Sequence, residues 1–367
     1  MKNRISILPK HRFQEMIAFA NNQFFKNENF GFEEFQPKVY LNSEDARNHY
    51  IYELDEEIVG LVGIYPTDFL GLKMMGVGTV CVDPEYRNQG IMSSMFRFLE
   101  KEVEPNYDLA FLSGDKFRYQ NYGYYKTGRY FSFQFNLRSF SGKDYSNLNF
   151  KKYDLQNTET DNLLHKLYQK DGNPIGRKSE SYFQILKTHF SEIHLLEEDG
   201  YLIYNPYTKT IREIVSRNKA IPEIIYNFMY KMNLKDISYE VSFDNPNLKI
   251  LEEIAADYRV EVLLNFKVLN YPKVVKQILK NRQNLMQGKL SILIVSKKIL
   301  LIEIGDDVNV VFTEDFENVD LKLTSKEMHQ LLFGDYLSFH PNPVKQELIT
   351  NWFPFALPVT LKSIDSF

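Results

Sequence analysis

The run Val77-Gly78-Thr79-Val80-Cys81-Val82-Asp83-Pro84-Glu85-Tyr86-Arg87-Asn88-Gln89-Gly90-Ile91-Met92 decides how this chain is read. It begins as a Val- and Gly-rich strand that stops at Asp83-Pro84, because proline has no N–H to give to a strand ladder. The turn Arg87-Asn88-Gln89-Gly90 then opens a helix predicted over about 90–103, with Ile91, Met95, Phe98 and Leu99 on one face. A helix N-terminus leaves backbone N–H groups unpaired and carries a partial positive charge. Both features suit a pyrophosphate, with Arg87 adding a full charge and Gly90 admitting a close backbone approach. Arg-x-x-Gly alone turns up about once by chance in a chain this long. The weight therefore lies in its setting, a strand feeding a turn and an amphipathic helix.

Outward from that run, the first segment alternates helix and strand. Phe13, Met16, Ile17, Ala20 and Phe24 are spaced for a helix over 13–25. Strands are predicted at 50–54 and 58–65 around the acidic turn Asp55-Glu56-Glu57, and at 107–112. A brief helix or turn at 116–122 and further strands over 123–136 follow. The second segment has helical patterns at 163–167, 182–188 and 224–232, a hairpin at 193–204 and a strand at 260–268, with no Arg-x-x-Gly turn after a strand. The third starts near Tyr271-Pro272, with helices at 274–280 and 326–333 and strands at 290–295, 299–304 and 308–312. Three domains are expected, 1–145, 146–270 and 271–367, since 367 residues exceed what one core usually serves.

Composition narrows the function. The formal net charge is -4 and the basic residues are scattered, which gives no electrostatic footprint for nucleic acid. A mildly acidic protein is compatible with cationic substrates. Cys81 is the single cysteine, so no intramolecular disulfide or thiolate metal cluster can form. The seven histidines show no ligand spacing, and no metal is expected. Residues 1–13 lack a signal-peptide core and no eighteen apolar residues run together, so the expectation is a cytoplasmic enzyme without a membrane span. The 24 Tyr and 29 Phe fit either core packing or an aromatic-lined pocket for a flat or cationic ligand, and composition does not choose.

Arg87 and Gly90 after a Val-rich strand resemble the signature of the GNAT acetyltransferase superfamily, with Met92 where the family usually has a small residue. A second stretch, Ser113-Gly114-Asp115-Lys116-Phe117-Arg118-Tyr119-Gln120-Asn121-Tyr122-Gly123-Tyr124, is similar to the Eis (enhanced intracellular survival) branch of that superfamily. The resemblance implies an α/β (α+β) chain of two tandem GNAT folds, the second degenerate, and a C-terminal domain similar to type 2 sterol carrier protein. It implies acetyl-CoA as acetyl donor, with the pantetheine arm along Val80, Cys81 and Val82. The pyrophosphate would lie over Arg87, Asn88, Gln89, Gly90, Ile91, Met92 and Ser93, and Gly114 and Asp115 would complete the cofactor site. It places the general acid on Tyr119 and the general base on the terminal carboxylate of Phe367. Relatives of the branch assemble into hexamers, so a homo-oligomer is expected.

The residues themselves are consistent with those roles. A departing thiolate has a conjugate acid of pKa about 8.5–10, near that of a tyrosine hydroxyl, so Tyr119 can return a proton at small cost. The apolar tail of Phe353, Phe355, Ala356, Leu357, Val359, Leu361, Ile364 and Phe367 reads as docked, since an undocked terminus is normally polar. Asp365, Glu53 and Glu57 remain open as alternative bases. Cys81, in mid-strand with no histidine near it, reads as a structural thiol. An amine acceptor, whether a small molecule or a peptide, calls for acids and aromatics. Phe24, Phe25, Glu28 and Glu33, with Phe30, Glu34 and Phe35, form such a cluster, equally readable as a solvated loop with buried anchors. The competing function is a non-catalytic acyl-CoA sensor, or a carrier using the third domain as an apolar pocket.

Overall fold

The chain passes between two structural units at 61/62, 129/130, 261/262 and 357/358. A computed structural model describes residues 4–114, 116–142, 144–172, 174–196, 200–295, 298–314 and 319–365. The first unit comprises Met1–Leu61, Tyr130–Glu261 and Pro358–Phe367, and the second Val62–Arg129 and Val262–Leu357.

In the second unit, Leu72–Val82 is a strand whose outer turns are set by Gly71, at φ +77°, and by Pro84. It pairs in parallel with Leu109–Leu112, which pairs antiparallel with residues 265–268. The helix Ile91–Phe98 continues as a π-helical turn over Leu99–Val103, and buries Ile91, Met95, Phe96 and Leu99 at helical spacing. A separate four-stranded sheet runs Val308–Thr313, Ile299–Ile304, Gly288–Ile294, Leu321–Leu323, the last pair parallel and the others antiparallel. Helix Ser325–Phe333 begins at a reciprocal cap between Thr324 and Glu327. Trp352 is fully buried, and its indole N–H donates to the Met286 carbonyl at 3.0 Å.

The first unit pairs Arg4–Ile7 with His49–Leu54 and packs helix Phe13–Phe24 through Phe13, Met16, Ile17 and Ala20. Its larger part aligns Asp236–Ser242 with residues 130–136, then Thr210–Ser216, Gly200–Asn205, Glu192–Leu196 and Lys151–Tyr153. Helix Ile221–Lys231 starts on Pro222 and buries Ile224, Ile225, Phe228 and Met229 against those strands. The predicted elements of the first segment recur within a few residues. The strands Thr210–Ser216 and Asp236–Ser242 and the helices Leu248–Ile254 and Gln346–Trp352 were not among the sequence expectations. Among the described residues, no helix is long and apolar enough to cross a membrane.

Candidate active site

Strand Leu72–Val82 keeps its parallel partner over only three positions, Met74 to Leu109, Met75 to Ala110 and Gly76 to Phe111. Beyond Gly76 it has no register partner on that side among the described residues, while Leu112 pairs with Asn265 instead. Leu109–Leu112 ends close to this level, so the Leu72–Val82 strand runs on past its neighbour, and an extended ligand can pair beside a strand in such a place. Thr79 sits in this stretch at φ +50°, a conformation rare for a β-branched residue and one that breaks the regular pleat. Tyr65 holds it: the Tyr65 hydroxyl lies 3.0 Å from Thr79 Oγ1. The ring reaches that point over Gly63, where a Cβ would stand 2.0 Å from the hydroxyl oxygen.

The turn that follows places Asn88 at φ +62° and Gly90 at φ +76°. The N–H groups of residues 88–93 have no acceptor among the described residues, and Ser94 N–H is the first to close the helix, on Gly90 O at 2.9 Å. That is a concave run of donors at the positive end of a helix, the arrangement that binds phosphate oxygens. Arg87 is exposed, donates from Nε to Val82 O at 3.1 Å, and has no carboxylate partner among the described residues. Met92, the departure from the family pattern, is half-exposed rather than wedged beneath the turn. Burial lifts the Cys81 thiol well above the usual range, against the smaller opposing pull of Arg87. A cavity of about 580 Å³ opens on the same helix, lined by Ser93, Phe96, Arg97, Tyr122, Lys267 and His329 among others.

Tyr119 lies on the short helix Lys116–Gln120 and is buried, its ring 5.8 Å from that of Phe96. Its carbonyl accepts from Tyr122 N–H at 3.0 Å and Tyr124 N–H at 3.2 Å, so the Tyr119–Tyr124 run folds back on itself. Tyr122 stacks on Phe96 at 4.3 Å and exchanges a hydrogen bond with Ser93 at 2.9 Å, which ties this turn to the phosphate-binding helix. Gly114, at φ +133°, leaves the space that the Tyr119 ring fills. Asn265, 2% exposed, donates to Gly114 O at 3.2 Å, and its Oδ1 has no partner among the described residues. Asn265 was not among the sequence candidates, although a lone amide within Val262-Leu263-Leu264-Asn265-Phe266 is a signal in itself. Asp115 lies outside the described residues.

In the first unit the tail is docked as the apolar pattern predicts, with Val359, Leu361 and Ile364 buried. Phe367 lies outside the described residues. Of the alternative bases, Glu57 is exposed, Glu53 pairs with Arg12, and Asp365 is engaged by Arg177 at 2.8 Å. Burial alone would raise the Asp365 pKa, but the charge and hydrogen bonds of Arg177 outweigh it and hold the carboxyl below its ordinary value. Phe25 packs against Phe30, Phe32 and Phe35 at ring distances of 5.0, 4.8 and 5.5 Å, and Phe24 against Phe32 at 5.4 Å. Glu33 accepts from Asn21 at 3.2 Å and lines a cavity of about 490 Å³ with Glu34, Phe190 and Tyr207, while Glu28 is exposed. The aromatic residues therefore act first as each other's packing partners.

Residues 13–128 match the family model described as the acetyltransferase (GNAT) family. A search of curated protein sequences found no match. Among solved structures, the chain is similar to a probable N-acyltransferase from Enterococcus faecalis V583, at 16% identity and TM-score 0.72 over 98% of both chains. It is also similar to a GCN5-related N-acetyltransferase from Kribbella flavida, at 16% identity and TM-score 0.72 over 97% of this chain and 98% of that one. Eis1 from Mycobacterium abscessus gives 11% identity and TM-score 0.68 over 98% of both chains. At these identities the likeness is one of fold. The match to the acetyltransferase (GNAT) family covers the segment that holds the donor-rich turn, and it identifies residues 13–128 as a GNAT acetyltransferase domain.

Proposed function

We propose that the protein transfers acetyl from acetyl-CoA to the amine of a small molecule or peptide by direct attack on the thioester. The observation that carries this is that residues 77–82 run on past the last register pair with Leu109–Leu112, immediately before a helix whose first N–H groups have no acceptor among the described residues. Pantetheine amides would pair with the strand at Val80, Cys81 and Val82, as an added strand does. The pyrophosphate would take the N–H groups of Asn88 to Ser93 with Arg87 alongside, and the cavity beyond Ser93 would take the nucleotide end. Met92 is half-exposed, which leaves it room to move aside in this arrangement.

Tyr119 is assigned as the general acid and the terminal carboxylate of Phe367 as the general base. The amine nitrogen attacks the thioester carbon and the C–S bond breaks. The thiolate takes the Tyr119 hydroxyl proton, and the proton shed by the amine goes to the carboxylate, so charge and protons balance. Gly114 belongs to the site as the residue that admits the Tyr119 ring. The candidate acceptor residues Phe24, Phe25, Glu28 and Glu33 keep only Glu33 as a carboxylate facing a cavity.

The division into domains 1–145, 146–270 and 271–367 is retained as part of this reading. The independent four-stranded sheet with its helices in 288–352 supports an α+β C-terminal domain of the sterol carrier type. The test is a screen of amines, including polyamines, aminoglycosides and lysine peptides, read by acetyl mass shift and by release of CoA thiol. Acetylation of at least one amine is expected. Tight CoA binding with no turnover across the panel points to an acyl-CoA sensor instead.

A further inference from the structure

Among the described residues, Thr79 is the one non-glycine residue that takes a positive φ inside a strand; the others lie in turns, bends or single helical turns. It is also the one β-branched residue among them, and a branched Cβ makes the left-handed region costlier still. Strain of this kind persists only where the surroundings over-determine it. Two features of the second unit do so. The Tyr65 hydroxyl and Thr79 Oγ1 share a hydrogen bond at 3.0 Å, with both residues buried. Gly63 stands two residues before Tyr65 on the same face of their strand, where a Cβ would lie 2.0 Å from the hydroxyl oxygen and 2.4 Å from Cζ. The gap at Gly63 admits the ring, the ring places the hydroxyl, and the hydroxyl holds the kink at Thr79.

What the kink changes lies just downstream of it. In a regular strand, successive backbone groups alternate between the two edges, and one residue in the left-handed region breaks that alternation and bends the strand beyond it. Residues 80–82 come next, past the last register pair of Leu72–Val82 with Leu109–Leu112. The side on which Val80, Cys81 and Val82 present their N–H and C=O groups is therefore set by Thr79 and not by a ladder with Leu109–Leu112. The donor turn follows at once, tied back to the strand by Arg87 Nε on Val82 O at 3.1 Å. A ligand that rests its phosphates on the turn and pairs along 80–82 needs both in one register. A slip of a single residue would turn each strand group to the opposite side.

We infer that Tyr65, acting through Thr79, is the positioning residue that aligns the backbone of residues 80–82 for the pantetheine arm of CoA. The inference rests on the reading of that strand as the pantetheine site. Tyr65 moves no proton in this role; it acts on the cofactor only through the conformation of Thr79. The net worth of one hydrogen bond is similar to the cost of one residue in the left-handed region, so losing a single hydroxyl is enough to release the kink.

The test is titration calorimetry with two probes, CoA and 3′-phospho-ADP, the second keeping the nucleotide and pyrophosphate of CoA but lacking pantetheine. Tyr65→Phe keeps the ring, and is expected to weaken CoA binding about tenfold while leaving 3′-phospho-ADP within about twofold. Thr79→Val removes the same hydrogen bond from the other side; the same split is expected of it, and it serves if Tyr65→Phe fails to fold. Thr79→Gly reaches a positive φ without strain. In that background Tyr65→Phe is expected to change CoA affinity less than about twofold, because the hydroxyl then has no strain to hold. A folded Tyr65→Phe protein with parental CoA affinity overturns the positioning role. So does an equal loss for both probes, or an equal loss in both backgrounds, each of which marks a general structural effect and leaves the pantetheine reading standing. If the unaltered protein binds CoA no tighter than 3′-phospho-ADP, the pantetheine reading itself fails, and this inference with it.

Discussion

Gly114 yields the position of its missing Cβ to the ring of Tyr119: a Cβ built there would stand 2.7 Å from Cε2. Gly114 also sits at φ +133°, where L side chains are strained whatever the space around them. Gly114→Ala should therefore move the Tyr119 ring and cost about 1–3 kcal/mol of stability. CoA affinity should change little and kcat should fall by an order of magnitude or more. Tyr119→Phe keeps the ring and removes only the hydroxyl, so it should fold like the parent and lose about 10²-fold or more in kcat. Steady-state kinetics beside thermal melts separate the two effects. A Tyr119→Phe protein with parental kcat ends the assignment of Tyr119 as acid.

The donor run at residues 88–93 makes a second expectation about affinity rather than rate. Arg87 is exposed, so its charge acts through water and is screened by salt. Arg87→Ala should weaken CoA binding by a factor of about 3–10, with the loss shrinking as salt rises, and leave kcat at saturating acetyl-CoA nearly unchanged. Gly90→Ala places a Cβ at φ +76° in open space, so only the backbone penalty applies, about 1–2 kcal/mol. Titration calorimetry with CoA at two ionic strengths checks both. A salt-independent loss at Arg87 would point to a structural role through its bond to Val82 O.

How far the sequence carried the reading depends on whether each signal is local. The strand, turn and helix from Val77 to Leu99 are marked by neighbours: Pro84 ends the strand, Gly90 opens the helix, and the apolar face repeats at helical spacing. The docked tail was equally legible from Val359, Leu361 and Ile364. The strand Thr210–Ser216 escaped notice because Glu213 points inward, where a carboxylate breaks the expected alternation. Its burial makes sense only with Arg177, a residue distant in sequence. Asn265 and Thr79 were missed for a related reason. One answers to Gly114 across a strand pair, and the other is held at positive φ by Tyr65, and neither partner is visible in its own neighbourhood.

Two histidines of the first unit, buried His49 and half-buried His189, should make stability fall on mild acidification. Burial pulls His49 down to about 4 despite its bond to Asp45 O, and pulls His189 down to about 3, with the charges of Arg212 and Lys38 adding to the effect. Their unfolded pKa is about 6.5, so below that pH the unfolded chain binds protons that the folded chain refuses. Stability is full above pH 6.5 and declines as pH falls toward 4 and 3. By pH 5 the loss should be about 2 kcal/mol for each histidine. Urea unfolding at pH 7 and pH 5 reads it directly, and His49→Gln should remove roughly half of the difference. A midpoint unchanged between the two pH values would show that these rings are protonated in the folded protein.

Lys38 acts on the other side of neutrality. Desolvation draws its ammonium down from 10.5 to about 7, with Asp365 opposing the shift and Arg177 reinforcing it. Between pH 7 and 10.5 the unfolded chain holds a proton on this amine that the folded chain has released, so stability must rise with pH across that window. The slope contributed by one such group approaches about 1.4 kcal/mol per pH unit and vanishes below 7, where both states are protonated. A neutral amine still donates to Ile364 O, so the tail anchor survives the titration. Lys38→Met removes the titrating group and should flatten the curve between pH 7 and 9 while leaving its acid side, set by His49 and His189, in place. Urea midpoints at half-unit intervals give both slopes in one series. If the parent and Lys38→Met curves run parallel above pH 7, Lys38 stays charged in the folded protein, and the cluster around Arg177 holds two full cations through the neutral range.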